Sequence, residues 1–179
     1  MVYLRGPAKL PRRPIPEAAR PLITPYGDRN WKLVETGAKA RKVNGILGGM
    51  CREHYPGLVE VSPDMFEPAT QFDHYELAAD AMDRSGQRYR NKAERVVRDL
   101  SDFFRIEEGK EHRAYQVAVA SCNKRVTDMI HDARHQAHIW HYAKVQGRSI
   151  KKDKARQVVL TKEEYLAAIP NWCNRHPDA

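Results

Sequence analysis

KEHRAYQVAVASCNKRVTDMIHDARHQAHIWHYAKVQG, residues 110–147, is the stretch whose reading decides the fold. It holds no proline and no internal glycine, so nothing in it interrupts a helix. Apolar or small residues recur at Tyr115, Val119, Cys122, Val126, Met129, Ile130, Ala133, Ala137 and Trp140, in steps of three and four that draw one stripe along one face. Gly147 stops the pattern. At about 1.5 Å per residue such a helix runs roughly 50 Å, longer than one small globule covers. Part of it is therefore expected to meet a partner.

Around this helix the sequence predicts an all-α chain, a helical bundle with an extended N-terminal arm. On the N-terminal side, NKAERVVRDLSDFF, residues 91–104, is amphipathic, with Val96, Val97, Leu100, Phe103 and Phe104 on one face. Glu94/Arg98, Arg95/Asp99 and Arg98/Asp102 are spaced as surface ion pairs. Further back, residues 38–54 are helical, with Val43, Ile46, Leu47 and Met50 on one side and Tyr55-Pro56-Gly57 as the stop. Gly45, Gly48 and Gly49 each cost nearly ~1 kcal/mol in a helix, which close approach of another helix would offset. The competing reading, a GXXG loop clamping nucleic-acid backbone, sets apolar Ile46 and Leu47 where phosphate would lie and lacks flanking strands.

Between these helices residues 58–90 are irregular. GLVEV reads as a short strand or an extended strap, and FDHYELAADAMD as a short helix anchored by Phe72, Tyr75 and Leu77. On the C-terminal side, Thr161 and Glu164 carry a capping-box spacing for a helix with Tyr165, Leu166 and Ile169 inward. Pro170 ends that helix, and Trp172 is expected to pack back on the core. Residues 1–28 carry six prolines among arginines and lysines and read as an extended basic arm, leaving 29–179 as the helical domain.

The 179 residues hold 31 Lys and Arg against 23 Asp and Glu, a formal net charge of +8. A polyanion is the partner such a balance favours, because each neutralised phosphate releases counterions. Two blocks concentrate the charge: Arg148, Lys151, Lys152, Lys154 and Arg156 after the long helix, and Arg84, Arg88, Arg90, Lys92 and Arg95 at the start of the helix at 91–104. At that helix start the cations oppose the helix dipole, so an anion would be welcome there. Solvated faces are the alternative reading of both blocks. Mean hydropathy is −0.73. No run approaches the ~18 apolar residues of a membrane span, and no secretory apolar core appears. Three scattered cysteines do not form a disulfide framework, so free thiols in a reducing compartment are expected.

No catalytic set is evident, and the expectation is a protein that is not an enzyme. Asp64, Asp73, Asp80 and Asp83 fall in the irregular segment, without the strands that hold acidic ligands in metal-dependent nucleases. His131, His135, His138 and His141 lie on roughly one side of the long helix. HxxxH can bind a metal, but Asp132 stands where zinc proteases carry Glu, and the stripe reads as packing on aromatics or as solvated. Cys51/His54 and Cys173/His176 would supply four zinc ligands, yet a lone Cys at a helix end commonly fills a core gap. No metal and no cofactor is expected.

Taken in order, ARKVNGILGGMCREHYPGLVEV (40–61), FDHYELAAD (72–80), NKAERVVRDLSDFF (91–104), VTDMIHDAR (126–134) and LTKEEYLAAIPNWC (160–173) resemble the conserved region of plant transposon-encoded proteins of the Ptta/En/Spm (CACTA-type) transposase class. The resemblance spans Ala38 to Cys173 and rests on the series of motifs, with no catalytic signature among them. It implies a nuclear protein of transposon origin that recognises DNA or helps assemble a protein–DNA complex, without the acidic domain that cuts and joins strands. The alternative is a protein-recognition or self-associating module, domesticated or fused to a larger host protein, that uses the long helix and its aromatic end at Trp140 and Tyr142.

Overall fold

The computed structural model describes residues 9–35 and 42–168. Expectations for Ile169, Pro170, Trp172, Cys173 and His176, and for the helix start at Ala38, lie outside the described residues.

The chain is not all-α. Strand β1 (Leu22–Tyr26) turns through Gly27 into β2 (Asn30–Leu33), antiparallel with Ile23 opposite Leu33. Helix α1 (Val43–Glu53) follows, then a second hairpin of β3 (Leu58–Ser62) and β4 (Met65–Pro68) and a 3-10 turn at Phe72–Glu76. Helix α2 (Lys92–Arg98) runs into a 3-10 turn at Asp99–Asp102 and strand β5 (Arg105–Ile106). The long helix α3 (Glu111–Val145) and two short ones, α4 (Lys152–Ala155) and α5 (Lys162–Ala167), complete the order. β5 pairs parallel with β1, giving one three-stranded sheet, β2-β1-β5, besides the two-stranded β3-β4.

GLVEV, read as a short strand or a strap, is strand β3, but β1, β2 and β5 escaped the sequence reading because they are short, half-exposed and, in β1, interrupted by proline. Pro25 sits in the central strand, where a missing N–H should break the ladder. Val34 N donates to the Leu22 carbonyl and Glu107 N to the Ile23 carbonyl, so even positions of β1 face β2 and odd positions face β5. Pro25 is odd, and β5 reaches only Ile23, so no partner needs its donor. The expected division at residue 28 falls in the β1–β2 turn, and the residues before it pack: Leu10 and Ile15 lie against the core, and Arg13 pairs with Glu53 at 2.6 Å and Asp99 at 3.0 Å.

The core forms where α1 crosses α3, with Ile46, Leu47, Met50 and Cys51 facing Ala118, Cys122, Val126 and Met129. Phe72, Tyr75, Phe103 and Ile23 close it, and the buried Tyr75 hydroxyl donates to the Cys51 carbonyl at 2.7 Å. Leu77, expected as an anchor, is 54% exposed, and Tyr115, expected in the α3 stripe, is 46% exposed. The GXXG loop is excluded, because Gly45 to Gly48 lie inside α1. Of the three glycines only Gly48 meets another helix, against the aliphatic Arg125 side chain; Gly49 receives Leu10, and Gly45 faces open space.

Candidate nucleic-acid interface

The block that follows α3 is carried on a pinned support. Gly147, at φ +61°, reverses the chain after α3, and Arg148 N donates to the Tyr142 carbonyl. Ala155 is fully buried, and its carbonyl accepts from His138 Nδ1. A carbonyl only accepts, so Nδ1 carries the proton that it donates, while Nε2 is hydrogen-bonded to the Tyr165 hydroxyl. Arg134 Nε donates to the same hydroxyl at 3.1 Å, and the predicted Thr161/Glu164 capping box is present at the start of α5. Three of the four histidines, His135, His138 and His141, are thus buried beneath α4 and α5. His138 packs on Tyr165, with ring centroids 5.2 Å apart.

On this support Arg148, Lys151, Lys152, Lys154 and Arg156 are all exposed. Lys152 pairs with Asp132 at 2.8 Å and Arg156 with Asp153 at 3.8 Å, while Arg148 donates to the Gln146 side-chain oxygen. Among the described residues, Lys151 and Lys154 pair with no carboxylate.

The second block rides on a turn built by Asp83, whose Oδ1 accepts from Ser85 N, Ser85 Oγ and Gln87 N. Arg84, Arg88 and Arg90 project from it, exposed and, among the described residues, without a carboxylate partner. Lys92 differs. Half-buried, it turns its ammonium toward the Tyr55 carbonyl at 3.5 Å, and burial lowers its pKa. The helix start does not await an anion: Asn91 Oδ1 caps Glu94 N, and Glu94 Oε2 accepts from Arg90 N.

Arg95 holds this region together. Only 3% exposed, it reaches Asp80, Asp83 and Asp99 and the carbonyls of Ala81 and Gln87, with Tyr89 against its guanidinium. The i,i+4 pair with Asp99 therefore forms, but in the interior. For Asp80, burial alone would raise the pKa; hydrogen bonds from Arg95 and from Tyr89 N outweigh it and hold the carboxyl below its ordinary value. Asp80 and Asp83 are occupied by Arg95, Asp64 sits in the β3–β4 turn and Asp73 is exposed, so these four carboxylates do not share a site.

A third cationic place has no counterpart in the sequence reading. Lys32, Lys42 and Arg125 line a cavity of about 390 Å³ with Trp31 and Asn44. The Asn44 amide donates to the Arg29 carbonyl, leaving its buried Oδ1, like the buried Trp31 Nε1, without a partner among the described residues. These cations come from β2, the N-terminus of α1 and the middle of α3, so no local cluster announced them.

The Cys51/His54 pair is split. Cys51 lies in the core beside Cys122, whose thiol burial pushes up in pKa, while His54 Nε2 meets Asp99 at 3.2 Å. On α3, burial and then the neighbouring charges of His131, Arg156 and Lys152 lower the His135 pKa.

No family model matches the chain, and neither curated proteins nor solved structures give a match. Among the described residues no helix is long and apolar enough to cross a membrane.

Proposed function

We propose that this chain is a non-enzymatic, nuclear module of the transposon-derived kind its sequence resembles, which holds DNA by its phosphate backbone and helps assemble a protein–DNA complex. The observation that carries the reading is the exposed block from Arg148 to Arg156, fixed on α3 by His138. A support that is ordered before binding reduces the entropy lost on docking. Arg84, Arg88 and Arg90, on a turn tied to Arg95, offer a second line of phosphate contacts, with Lys92 behind them.

Phosphate contacts make affinity fall with salt at about 0.9 log units per contact for each log unit of salt. Among the described residues Arg148, Lys151 and Lys154 have no carboxylate partner, while Lys152 and Arg156 must first leave theirs, so roughly three to five contacts and a slope of about −3 to −5 are expected from this block. Fluorescence anisotropy with random and transposon-end duplexes across a salt series measures the slope. Preference for the end sequence would add specificity. Changing all five residues to Glu should abolish binding with an unchanged circular dichroism spectrum, since exposed charges contribute little to stability. Unchanged binding in that variant, or no binding by the wild type at ~50 mM salt, would refute the reading.

The protein-recognition alternative draws on exposed apolar residues beyond the core, Val145 at 67%, Val159 at 84% and Leu166 at 48%. A contact through them would show little salt dependence, so the same titration against a protein partner separates the two readings.

A further inference from the structure

We propose that His131, Asp132 and His135 form a binding site for a divalent transition-metal ion, zinc or its surrogate cobalt, on α3 beneath Lys152, with His131 and Asp132 exposed and His135 buried. Helix geometry brings the three together. His131 and His135 are four residues apart and Asp132 and His135 three apart, so His135 stands one turn above both others. One candidate ligand atom from each lies within 4.8 Å of the other two. Bond lengths of about 2.0–2.2 Å to zinc put two donors on one ion roughly 3–4 Å apart, a closure that rotation of the two exposed side chains supplies.

A second observation points the same way. The His131 and His135 rings meet edge to face with centroids 4.3 Å apart, and among the described residues neither ring makes a hydrogen bond. His135 is 4% exposed and its Nδ1 is buried without a partner. A buried ring nitrogen without a partner is an arrangement that ligation would explain.

Two imidazoles and one carboxylate suit zinc, cobalt or nickel better than magnesium or calcium, which prefer all-oxygen shells. Three protein donors also leave a position for water or an anion. The surrounding charge works against tight binding. Lys152 Nζ holds Asp132 Oδ1 at 2.8 Å, Arg52 lies close enough to feel the same carboxylate, and Arg156 faces His135. Metal binding therefore displaces Lys152 from Asp132, and because Lys152 is exposed its release into water is cheap.

The test is titration of the full chain with Co²⁺ and Zn²⁺, followed by calorimetry and by the visible spectrum of bound cobalt. The expected result is one cobalt per chain with an imidazole–carboxylate spectrum, displaced by zinc and not by magnesium. His131→Ala and Asp132→Asn, both at exposed positions, should each weaken binding by about tenfold or more with circular dichroism unchanged. Lys152→Ala should tighten it by roughly fivefold, since a cation about one contact distance from the ion is removed. A misfolded variant cannot gain affinity, so this last result is independent of folding. No cobalt binding at millimolar metal, unchanged affinity in His131→Ala, a thiolate-to-cobalt charge-transfer band, or weaker binding in Lys152→Ala would each overturn the site.

Discussion

Replacing Arg95 with Met tests the organisation of the region that presents Arg84, Arg88 and Arg90. The guanidinium is the main partner of Asp80, with Nη2 to Oδ2 at 2.8 Å and Nε to Oδ2 at 3.0 Å, and both side chains are 5% exposed or less. After the change the three carboxylates fare differently. Asp83 is 35% exposed and hydrates; Asp99 keeps Arg13 at 3.0 Å and His54 at 3.2 Å. Asp80 keeps the Tyr89 N–H at 2.8 Å and a backbone hydrogen bond from Ala81, but no cation in contact. The loss is therefore about one uncompensated buried carboxylate, at the lower end of the ~3–5 kcal/mol seen when a buried pair is broken from one side. For a chain of this size ~3–4 kcal/mol lowers Tm by roughly 6–16 °C. Urea unfolding of the wild type, Arg95→Met, Asp80→Asn and the double variant closes a double-mutant cycle. The double variant should recover at least ~1 kcal/mol relative to Arg95→Met, because the orphaned charge is gone. Arg95→Met within ~1 kcal/mol of wild type, or no recovery in the double variant, would refute the argument that Asp80 depends on Arg95.

Asp80 also sets an acid limb. Its folded pKa is depressed, so the stability it contributes is complete above the unfolded value of about 3.9 and is lost as pH falls from there through the lower folded value. Unfolding measured between pH 5 and pH 2 should have a shallower acid slope in Asp80→Asn than in wild type. In α1, Gly45→Ala should stabilise by about 0.5–1 kcal/mol, since its Cβ meets nothing, whereas in Gly49→Ala the Cβ would lie 2.5 Å from Leu10 Cδ2, and displacing Leu10 should cost ~1–3 kcal/mol in the same denaturation assay. His138→Ala should release α4 and α5 from α3, read as faster amide exchange in residues 152–167 with little change around the α1–α3 core.

Helices were legible wherever periodicity and terminators agreed. The pattern over 110–147 became α3 at Glu111–Val145, and Thr161 with Glu164 capped α5 as their spacing predicts. Burial along α3 departed from one apolar stripe because its neighbours change along its length. Cys122, Val126 and Met129 face α1, but further on the covering elements are α4 and α5, and the buried positions become His135, His138 and His141. A stripe read as apolar cannot anticipate buried imidazoles, of which His138 is held by hydrogen bonds to a carbonyl and a hydroxyl. The strands failed for a different reason. A five-residue β1 with two prolines near it and a two-residue β5 carry almost no alternation, and their pairing joins residues more than 80 positions apart.

The same distinction decides which parts of the candidate sites were visible. Arg148 to Arg156 are neighbours in the chain, so their charge adds up within one sequence window. Lys32, Lys42 and Arg125 converge only through the fold. Arg95 illustrates the intermediate case: its i,i+4 spacing to Asp99 suggested a surface pair, but Asp80 and Asp83 close over it from 15 and 12 residues upstream and carry it into the interior. At 131–135 the HxxxH spacing is plain in the sequence, where Asp132 reads only as a poor substitute for a catalytic Glu. Its three-residue offset to His135 makes it a donor in its own right. What separates that donor from a metal ion is the Lys152 ammonium, a residue also assigned to phosphate. If both assignments hold, metal at Asp132 frees a cation for DNA, so saturating zinc should steepen the salt dependence of wild-type binding and leave that of Lys152→Ala unchanged.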